Sequence, residues 1–275
     1  MSSRFCVYTA LTGNYEKLNE QPAAAGSNID FICFTDDASL TSKTWKIIKI
    51  DPMFADDPVR SQRVVKLSPH EYCADYDVSL YIDNSVILSV KPEDVFERYR
   101  AHCDFLLPTH SFRKCVLDEF RAVKTLSIAD PKLINKQLAH YIDTNPSCLK
   151  ERPYWSAVQI RRHSNPLVRN AMRIWLAHVL RFSRRDQLSA NFVFGQARVV
   201  PHRLNIDNFS SWFHRWPVYR ERNEAMRKFK NGLINRMRGR LTFEKNLLVQ
   251  RLEIKRHFSN HTAETAIEDK LQIEG

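Results

Sequence analysis

Residues 78–88 read VSLYIDNSVIL, with a short apolar run on either side of the polar triplet Asp83-Asn84-Ser85. Both apolar runs have the length and composition of buried strands. Open α/β sheets bind ligands at the carboxyl ends of their strands. A carboxylate at that place can hold a divalent cation, which can hold a diphosphate. The triplet is also ordinary turn chemistry, so a purely structural Asp83 is the alternative.

The rest of the chain alternates between strand and helix patterns. Strands are predicted at 4–10, 29–34, 45–50, 105–108 and 155–160, and helices at 59–72, 92–102, 115–125, 130–141 and 165–182. Prolines at positions 92, 131 and 166 mark helix starts. This alternation predicts an α/β protein with a mostly parallel or mixed sheet flanked by helices.

Composition narrows the class of protein further. The chain has 275 residues, of which 43% are hydrophobic, so it can form a sizeable core. With 6 glycines it contains no Gly-rich phosphate loop. We expect no signal peptide and no membrane-spanning helix. The 6 cysteines include no C-x-x-C pair, which predicts reduced thiols in a cytoplasmic protein.

Polar residues follow several of the predicted strands. Thr9 and Asn14 follow the first, Asp36 follows the second, and Asp83 and Ser85 follow the fourth. Because strand ends share one edge of a sheet, we expect a nucleotide to lie across them.

Three basic residues, Arg60, Arg63 and Lys66, recur at helical spacing ahead of that strand. Two or three of them can face one way and neutralise a diphosphate. A solvated basic face is the alternative.

The ordered set of motifs resembles a family of GT-A glycosyltransferases, catalogued largely as a domain of unknown function, that includes plant proteins tied to cell-wall polysaccharides. The resemblance covers roughly residues 5–200. Its motifs, in chain order, are VYTALTGNY at 7–15, FICFTDD at 31–37, Arg63 with Lys66 and Pro69-His70, YIDNS at 81–85, His110 with Arg113, Cys115 and Glu119, RRH at 161–163, and RDQLS at 185–189.

The resemblance implies a GT-A fold, a nucleotide-sugar donor, and Mn²⁺ or Mg²⁺. The donor-binding residues that it implies are Thr9, Gly13, Asn14, Tyr15, Asp36, Arg63, Lys66, Asp83 and Ser85. Many GT-A enzymes carry a second carboxylate two residues after the first, where this chain has Ser85. That substitution removes one hard oxygen ligand and weakens the expectation of a metal.

Asp186 is the second carboxylate with an expected role. By the resemblance it lies near a helix start, where related enzymes place a catalytic base or an acceptor-binding acid. It can equally be a helix cap, because Ser183-x-x-Asp186 resembles a capping box.

Other polar side chains are weaker candidates. Arg113, Glu119, His163 and Gln187 are predicted to bind the acceptor, although Arg113 and Glu119 can instead pair with each other. His202 is a candidate to complete a metal site with Asp83. A lone histidine is more often a packing residue.

The basic charge is concentrated near the C-terminus. Residues 211–260 carry 13 Lys and Arg against 4 Glu, within a net charge of +11 for the chain. An aromatic cluster at Trp212, Phe213 and Trp216 precedes an apolar stripe at helical spacing, formed by Met226, Phe229, Leu233, Ile234, Met237 and Leu241. We therefore predict a catalytic domain at 1–210 and a basic amphipathic extension at 211–275.

The extension is expected to bind an anionic membrane surface, which would make the protein peripheral on the cytoplasmic face. Nucleic acid is a less favoured partner. A stripe that docks on the catalytic domain is the structural alternative.

The sequence therefore predicts a glycosyltransferase that moves a sugar from a nucleotide-sugar donor to a glycan or glycolipid acceptor, in polysaccharide or lipopolysaccharide synthesis. The alternative is a non-catalytic module that binds a sugar nucleotide or nucleic acid. Turnover separates the two, because a module of that kind binds nucleotide without sugar transfer or donor hydrolysis.

Overall fold

The computed structural model describes residues 3–102, 104–126 and 128–218. Within them lie nine β-strands, and their bounds are β1 Phe5–Leu11, β2 Asp30–Thr35, β3 Lys46–Lys49, β4 Val78–Ile82, β5 Ile87–Leu88, β6 Phe105–Pro108, β7 Val158–Arg162, β8 His202–Leu204 and β9 His214–Arg215. The same residues form seven α-helices, α1 Pro58–Leu67, α2 Pro69–Tyr72, α3 Pro92–Arg98, α4 Val116–Thr125, α5 Pro131–Thr144, α6 Pro166–Arg181 and α7 Ala190–Gln196. The predicted alternation of strands and helices is confirmed.

Local chemistry fixes where several helices begin. Proline occupies the first turn of α1, α5 and α6, where its missing N–H costs no hydrogen bond. The residue before each proline caps the helix: Asp57 accepts from Arg60 N, Asp130 from Lys132 N, and Asn165 from Leu167 N. These caps set the direction in which each helix leaves the sheet.

Seven strands form the main sheet in the order β3-β2-β1-β4-β7-β6-β8. β1 pairs in parallel with both β2 and β4, whereas β7 is antiparallel to its neighbours β4 and β6. The predicted mixed sheet is confirmed. The chain moves outward from β1 to β3 and then returns to place β4 on the other side of β1. The crevice at the carboxyl ends of β1 and β4 is therefore the switch point at which open α/β sheets bind ligands.

Two predicted strands differ from the structure. The run at 86–88 does not enter the main sheet, because β5 instead pairs antiparallel with β9. The strand predicted at 155–160 begins only at Val158, since Ser156 and Ala157 form the turn before β7. Both differences occur beside the Asp83 triplet, where long-range contacts outweigh the local apolar pattern.

Strand alternation divides the core between the two faces of the sheet. On β1, Val7 and Leu11 pack with Leu80 of β4 and Trp155, whereas Tyr8 packs on the opposite face with Tyr81. The second face is covered by α1, whose residues Val64 and Val65 are buried. Both faces of β1 and β4 are thus covered, which leaves their carboxyl ends as the accessible part of these strands.

The aromatic cluster assigned to the C-terminal extension belongs to the domain. Phe213 is fully buried in the main core, and Trp212 and Trp216 pack against that core. Phe213 is therefore unavailable to a membrane surface, and Trp212 and Trp216 keep only part of their apolar surface exposed. The domain extends at least to residue 218, whereas the boundary was expected at 210. Residues 219–275, with the predicted apolar stripe, lie outside the described residues.

No helix in the described ranges is both long and apolar enough to cross a bilayer. The cysteines of these ranges, Cys6, Cys33, Cys73, Cys115 and Cys148, are free, which agrees with the prediction of reduced thiols. Cys103 lies outside the described residues.

Candidate functional site

A cavity of about 450 Å³ opens at the switch point. The Asp83 triplet forms one side, α1 contributes Gln62 and Arg63, and the loop after β1 contributes Tyr15. The opposite wall comes from α4 and from the segment that precedes α7, through Glu119, Arg185 and Gln187. The cavity therefore joins Tyr15, Arg63, Asp83, Ser85, Arg113, Glu119 and Gln187 among the predicted site residues.

Asp83 follows β4 directly and is partly exposed to the cavity, with 28% of its side chain accessible. Its Oδ1 accepts a hydrogen bond from the Tyr81 hydroxyl at 2.7 Å and lies 3.2 Å from Lys66 Nζ. Gln62 Nε2 in turn donates to the Tyr81 hydroxyl at 2.6 Å. Asp83 is therefore held by one phenol and one cation, and the rest of its carboxylate faces the cavity.

Lys66 lies beneath the cavity and is fully buried. Its ammonium group is 2.8 Å from Asp186 Oδ2, 3.2 Å from Asp83 Oδ1 and 3.4 Å from Ser156 Oγ. Burial lowers the pKa of Lys66, and the attraction of the two carboxylates opposes that shift. Lys66 therefore links the exposed carboxylate to the buried one.

Asp186 is 1% exposed and does not line the cavity. Lys66 and Ser156 contact its Oδ2, while Gln187 N donates to Oδ1 at 3.2 Å and Arg63 Nε lies 3.4 Å from Oδ1. Burial alone would raise the pKa of Asp186, but the charges of Arg63 and Lys66 hold it well below its usual value.

This environment argues against a role for Asp186 as general base or direct acceptor ligand. A carboxylate with a depressed pKa is a weak base, and both oxygens already have partners. Asp186 is also not the cap of a long helix: it begins a three-residue 3₁₀-helix, and its side chain turns inward to the basic cluster. We assign it to the positioning of Lys66 and Arg63.

Four arginines line the cavity: Arg63, Arg113, Arg184 and Arg185. Arg63 is mostly buried, and the nearby charges of Asp186 and Asp83 raise its pKa against the effect of burial. Arg184 pairs with Asp57 at 2.9 Å. The site thus has several arginines on the walls of one space, an arrangement suited to phosphate oxygens.

Glu119 organises the opposite wall. Its Oε2 accepts from Arg113 Nε at 2.9 Å, its Oε1 lies 3.4 Å from Arg185 Nη2, and His110 Nε2 is 3.9 Å from Oε2. The structural alternative, in which Arg113 and Glu119 pair, is therefore observed, although both still line the cavity. Burial and the neighbouring arginines lower the pKa of His110 to about 3, so its ring is neutral at pH 7.

The loop after β1 has a largely structural role. Gly13 adopts a φ of +75°, and a Cβ there would lie 2.4 Å from Pro58 Cβ. Gly13 N donates to both oxygens of Asp36 at 3.0 Å, which ties the loop to the end of β2. Asn14 lines a neighbouring cavity and Thr9 is fully buried in β1. Of the donor residues predicted from this motif, Tyr15 alone lines the main cavity.

Two predicted site histidines lie away from this cavity. His163 follows β7, which is antiparallel to β4, and so it lies beside the amino end of β4. Its Nδ1 donates to Tyr76 O at 2.7 Å and its Nε2 accepts from Ser79 Oγ at 2.8 Å. Both ring nitrogens thus have structural partners, which contradicts acceptor binding by His163.

His202 begins β8, three strands away from β4, a separation of roughly 14 Å at the usual strand spacing. It stacks on His102 with ring centroids 3.8 Å apart and lines another cavity. The predicted pairing of His202 with Asp83 at one metal ion is therefore wrong.

The oxygen donors around Asp83 do not fit a resident Mn²⁺ or Mg²⁺ ion. Mg²⁺ requires near-octahedral oxygen ligands, usually with one or two carboxylates. Asp83 Oδ1 lies beside an ammonium group, and Ser85 Oγ accepts from Trp216 Nε1 at 3.1 Å. Across residues 3–102, 104–126 and 128–218, no three His, Cys, Asp or Glu side chains are grouped to hold a metal.

Sequence reasoning missed Tyr81, Ser156, Gln62 and the aromatic side of the cavity, which is formed by Phe112, Trp155 and Trp216. Tyr81 had a usable signal, since it stands two residues before Asp83 and strand periodicity puts both side chains on one face. Ser156 and Trp216 had none, because their contacts with the site span long sequence separations.

Comparisons with known proteins identify the family of the chain. Residues 2–215 match the TOD1/MUCI70, glycosyltransferase-like domain. A curated relative from Arabidopsis thaliana, "Probable hexosyltransferase MUCI70", is 29% identical over 157 residues, which cover 54% of this chain and 27% of that protein. The chain thus matches about a quarter of the relative's length. It belongs to the TOD1/MUCI70 glycosyltransferase-like domain family, which confirms the predicted glycosyltransferase resemblance.

Solved structures of two glycosyltransferases are also similar. The apo structure of the bifunctional glycosyltransferase WbbM has a TM-score of 0.42 at 9% identity, covering 90% of this chain and 45% of that chain. Mouse xyloside xylosyltransferase 1 in its apo form has a TM-score of 0.44 at 12% identity, covering 73% of this chain and 85% of that chain.

Proposed function

We propose that the chain is a hexosyltransferase that transfers a sugar from a nucleotide-diphosphate donor to a carbohydrate acceptor. The cavity at the switch point, with Asp83 and four arginines on its walls, carries the proposal. Family membership supports sugar transfer, and the site adds a means of holding a diphosphate. A diphosphate is multiply negative, and guanidinium groups bind its oxygens in bidentate geometry.

In the transfer, the bond between the sugar C1 and the diphosphate oxygen breaks, and negative charge develops on the departing diphosphate. Arg63 is placed to stabilise that charge, because Asp186 holds it at the cavity from below. The exposed part of the Asp83 carboxylate is available to hydroxyl groups of the donor sugar. The acceptor hydroxyl attacks C1 and passes its proton to an oxygen of the departing diphosphate as the new glycosidic bond forms.

The acceptor half of the cavity suits a pyranose ring. Phe112, Trp155 and Trp216 present aromatic surface, whose electron-rich faces attract the C–H groups of a sugar face. Gln187 supplies a polar group for its hydroxyls, and Glu119 holds Arg113 and Arg185 at the same wall. A glycan acceptor uses both kinds of contact, and so does the headgroup of a glycolipid. Membrane binding by the extension at 211–275 stays a prediction, and residues 219–275 of it lie outside the described residues.

The proposal is tested by a screen of nucleotide sugars with a panel of oligosaccharide acceptors, in which transfer and donor hydrolysis are both measured. Asp83→Asn should lower transfer by at least about 10²-fold, the usual cost of a lost electrostatic contact at a reacting centre. Asp104→Asn is the matched control, because Asp104 is exposed, pairs with Arg162 and lies at another cavity.

Two results would count against the proposal. Near-normal transfer in Asp83→Asn would remove Asp83 from the site. Nucleotide binding with neither transfer nor hydrolysis across the panel would favour the alternative, a non-catalytic binding module.

A further inference from the structure

We propose that this site binds the donor diphosphate without a resident divalent cation, because Lys66 neutralises Asp83 from beneath the cavity and Arg63 meets the phosphates at the cavity wall. The inference rests on the proposed function, since it concerns the same nucleotide-diphosphate donor. It replaces the Mn²⁺ or Mg²⁺ expected from the family resemblance with two side chains of the chain itself.

The first argument is the position of the Lys66 ammonium. It lies 3.2 Å from Asp83 Oδ1 and so neutralises the carboxylate charge that would otherwise attract a metal ion. Lys66 is fully buried, and contacts to Asp186 Oδ2 and Ser156 Oγ hold its Nζ from the other side. A buried ammonium with three partners does not swing away readily, because leaving would remove one of the two cations that pair with Asp186 in the interior.

The second argument is that the neighbouring oxygens are already in use. Asn84 Oδ1 accepts from Asn19 N at 2.8 Å, and its Nδ2 donates to Lys17 O. Ser85 Oγ accepts from Trp216 Nε1. Ser85 stands where many related enzymes have a second carboxylate, so the triplet offers a single charged oxygen donor group. A divalent cation that keeps few protein ligands binds weakly.

The third argument is charge. The inner cluster of Arg63, Lys66, Asp83 and Asp186 holds two cations and two carboxylates at contact distances. A divalent cation at Asp83 would add positive charge beside an ammonium group already present. A diphosphate instead meets Arg63 together with Arg113 and Arg185 at the cavity wall. The balanced inner cluster keeps the cations in place before the donor arrives.

The test is calorimetric titration of the full chain with UDP, GDP, ADP and CDP, each in 1 mM EDTA and again with 1 mM MnCl₂. We expect at least one diphosphate to bind with a Kd that differs by less than threefold between the two conditions. Weakening by tenfold or more in EDTA would overturn the inference and leave the proposed function standing. Absence of binding in both conditions would instead count against the proposed function, on which the inference rests.

Variants extend the test to the side chains. Lys66→Met should weaken diphosphate binding in EDTA by at least tenfold, while the control Lys124→Met should not, since Lys124 bonds Asn135 on a neighbouring helix. If Lys66→Met does not fold, Arg63→Gln serves instead, because removing it leaves Asp186 paired with Lys66. Unchanged affinity in a folded Lys66→Met, or in Arg63→Gln where the lysine variant fails, would overturn the inference.

Discussion

The two ends of β4 have different chemistry. At the carboxyl end, Asp83 meets the cations of a buried cluster and keeps part of its carboxylate in a cavity. At the amino end, His163 has both ring nitrogens bonded to Ser79 and Tyr76, and it lines no cavity described above. Both ends carry polar residues that the sequence marked as candidates. The difference between them is whether any bonding capacity is left over for a ligand.

Spare bonding capacity therefore separates a site from a structural polar cluster. The buried network at the carboxyl end ends in Asp83 and Arg63, whose remaining surface faces the cavity. The network at the amino end closes on backbone carbonyls and a serine hydroxyl. Substitutions at the two ends should accordingly change different measured quantities.

The largest effect on stability and donor binding is expected for Asp186→Asn, at the carboxyl end of β4. Loss of its charge leaves Lys66 and Arg63 without their buried partner, which typically costs about 3–5 kcal/mol of stability. Because Asp186 acts on the donor through these cations, the KM for the donor should rise about tenfold, with a smaller change in kcat. Urea unfolding and steady-state kinetics measure both quantities.

A different kinetic pattern would restore the sequence-based role of Asp186. A fall in kcat of about 10²–10⁴-fold, with donor KM unchanged and an acidic limb missing from the pH–rate profile, is the signature of a lost general base. Ser156→Ala offers a milder comparison, because it removes one neutral partner of the same carboxylate.

The next largest effect is on the pH dependence of folding stability, through His163 at the amino end of β4. Burial and the charge of Arg161 lower the pKa of His163 to about 4, against about 6.5 in an unfolded chain. Below pH 6.5, His163 therefore binds a proton in the unfolded chain but not in the folded chain. The free energy of unfolding consequently falls as the pH drops toward 4. At pH 5 this residue alone should account for a loss of about 2 kcal/mol relative to pH 7.

Unfolding free energies of the wild type and His163→Gln at pH 7 and pH 5 test this sign. The variant should lose about 2 kcal/mol less than the wild type over that interval. Its donor KM at pH 7 should be unchanged, since His163 lies away from the cavity. Equal losses in the two proteins would show that His163 does not titrate as described.

The smallest effect is expected for Gly13→Ala, a structural position at the cavity end. An alanine there combines a positive φ with a Cβ that overlaps the Pro58 ring, at a cost of about 1–2 kcal/mol. Gly26→Ala is the matched control, because its φ is +74° but the nearest side-chain atom is the flexible Lys91 Nζ at 3.4 Å. A thermal shift no larger than the control's would mean that the Pro58 contact relaxes freely.

Those parts of the site that depend on residues close together in the sequence were predicted correctly. The apolar run at 78–82 and the carboxylate after it placed Asp83 correctly at the end of a central strand, because strand length and polarity are written in consecutive residues. The same logic placed Arg63 and Lys66 on one helix. Helix spacing brought Arg63 to the cavity wall and Lys66 beneath it.

Roles that depend on distant partners were not predictable. Asp186 looked like a base because sequence does not reveal that Lys66 lies 2.8 Å away. His163 looked available because its partners Tyr76 and Ser79 are far from it in the chain. Trp212 and Trp216 looked like membrane anchors because the sequence of an aromatic cluster does not show which residues pack against it. Each error concerns long-range pairing, which the fold supplies and local pattern does not.

The bonds that fasten the Asp83 loop also bear on how the protein is made. Ser85 bonds Trp216, which is 131 residues downstream, and Asn19 Nδ2 donates to Val218 O across 199 residues. A ribosome releases the chain from the N-terminus. The Asp83 loop therefore cannot form its bonds with Trp216 and Val218 until residue 218 has left the exit tunnel. A nascent chain therefore carries an unfinished cavity through most of its synthesis, and stalled products that stop before residue 210 should be good substrates for cellular proteases.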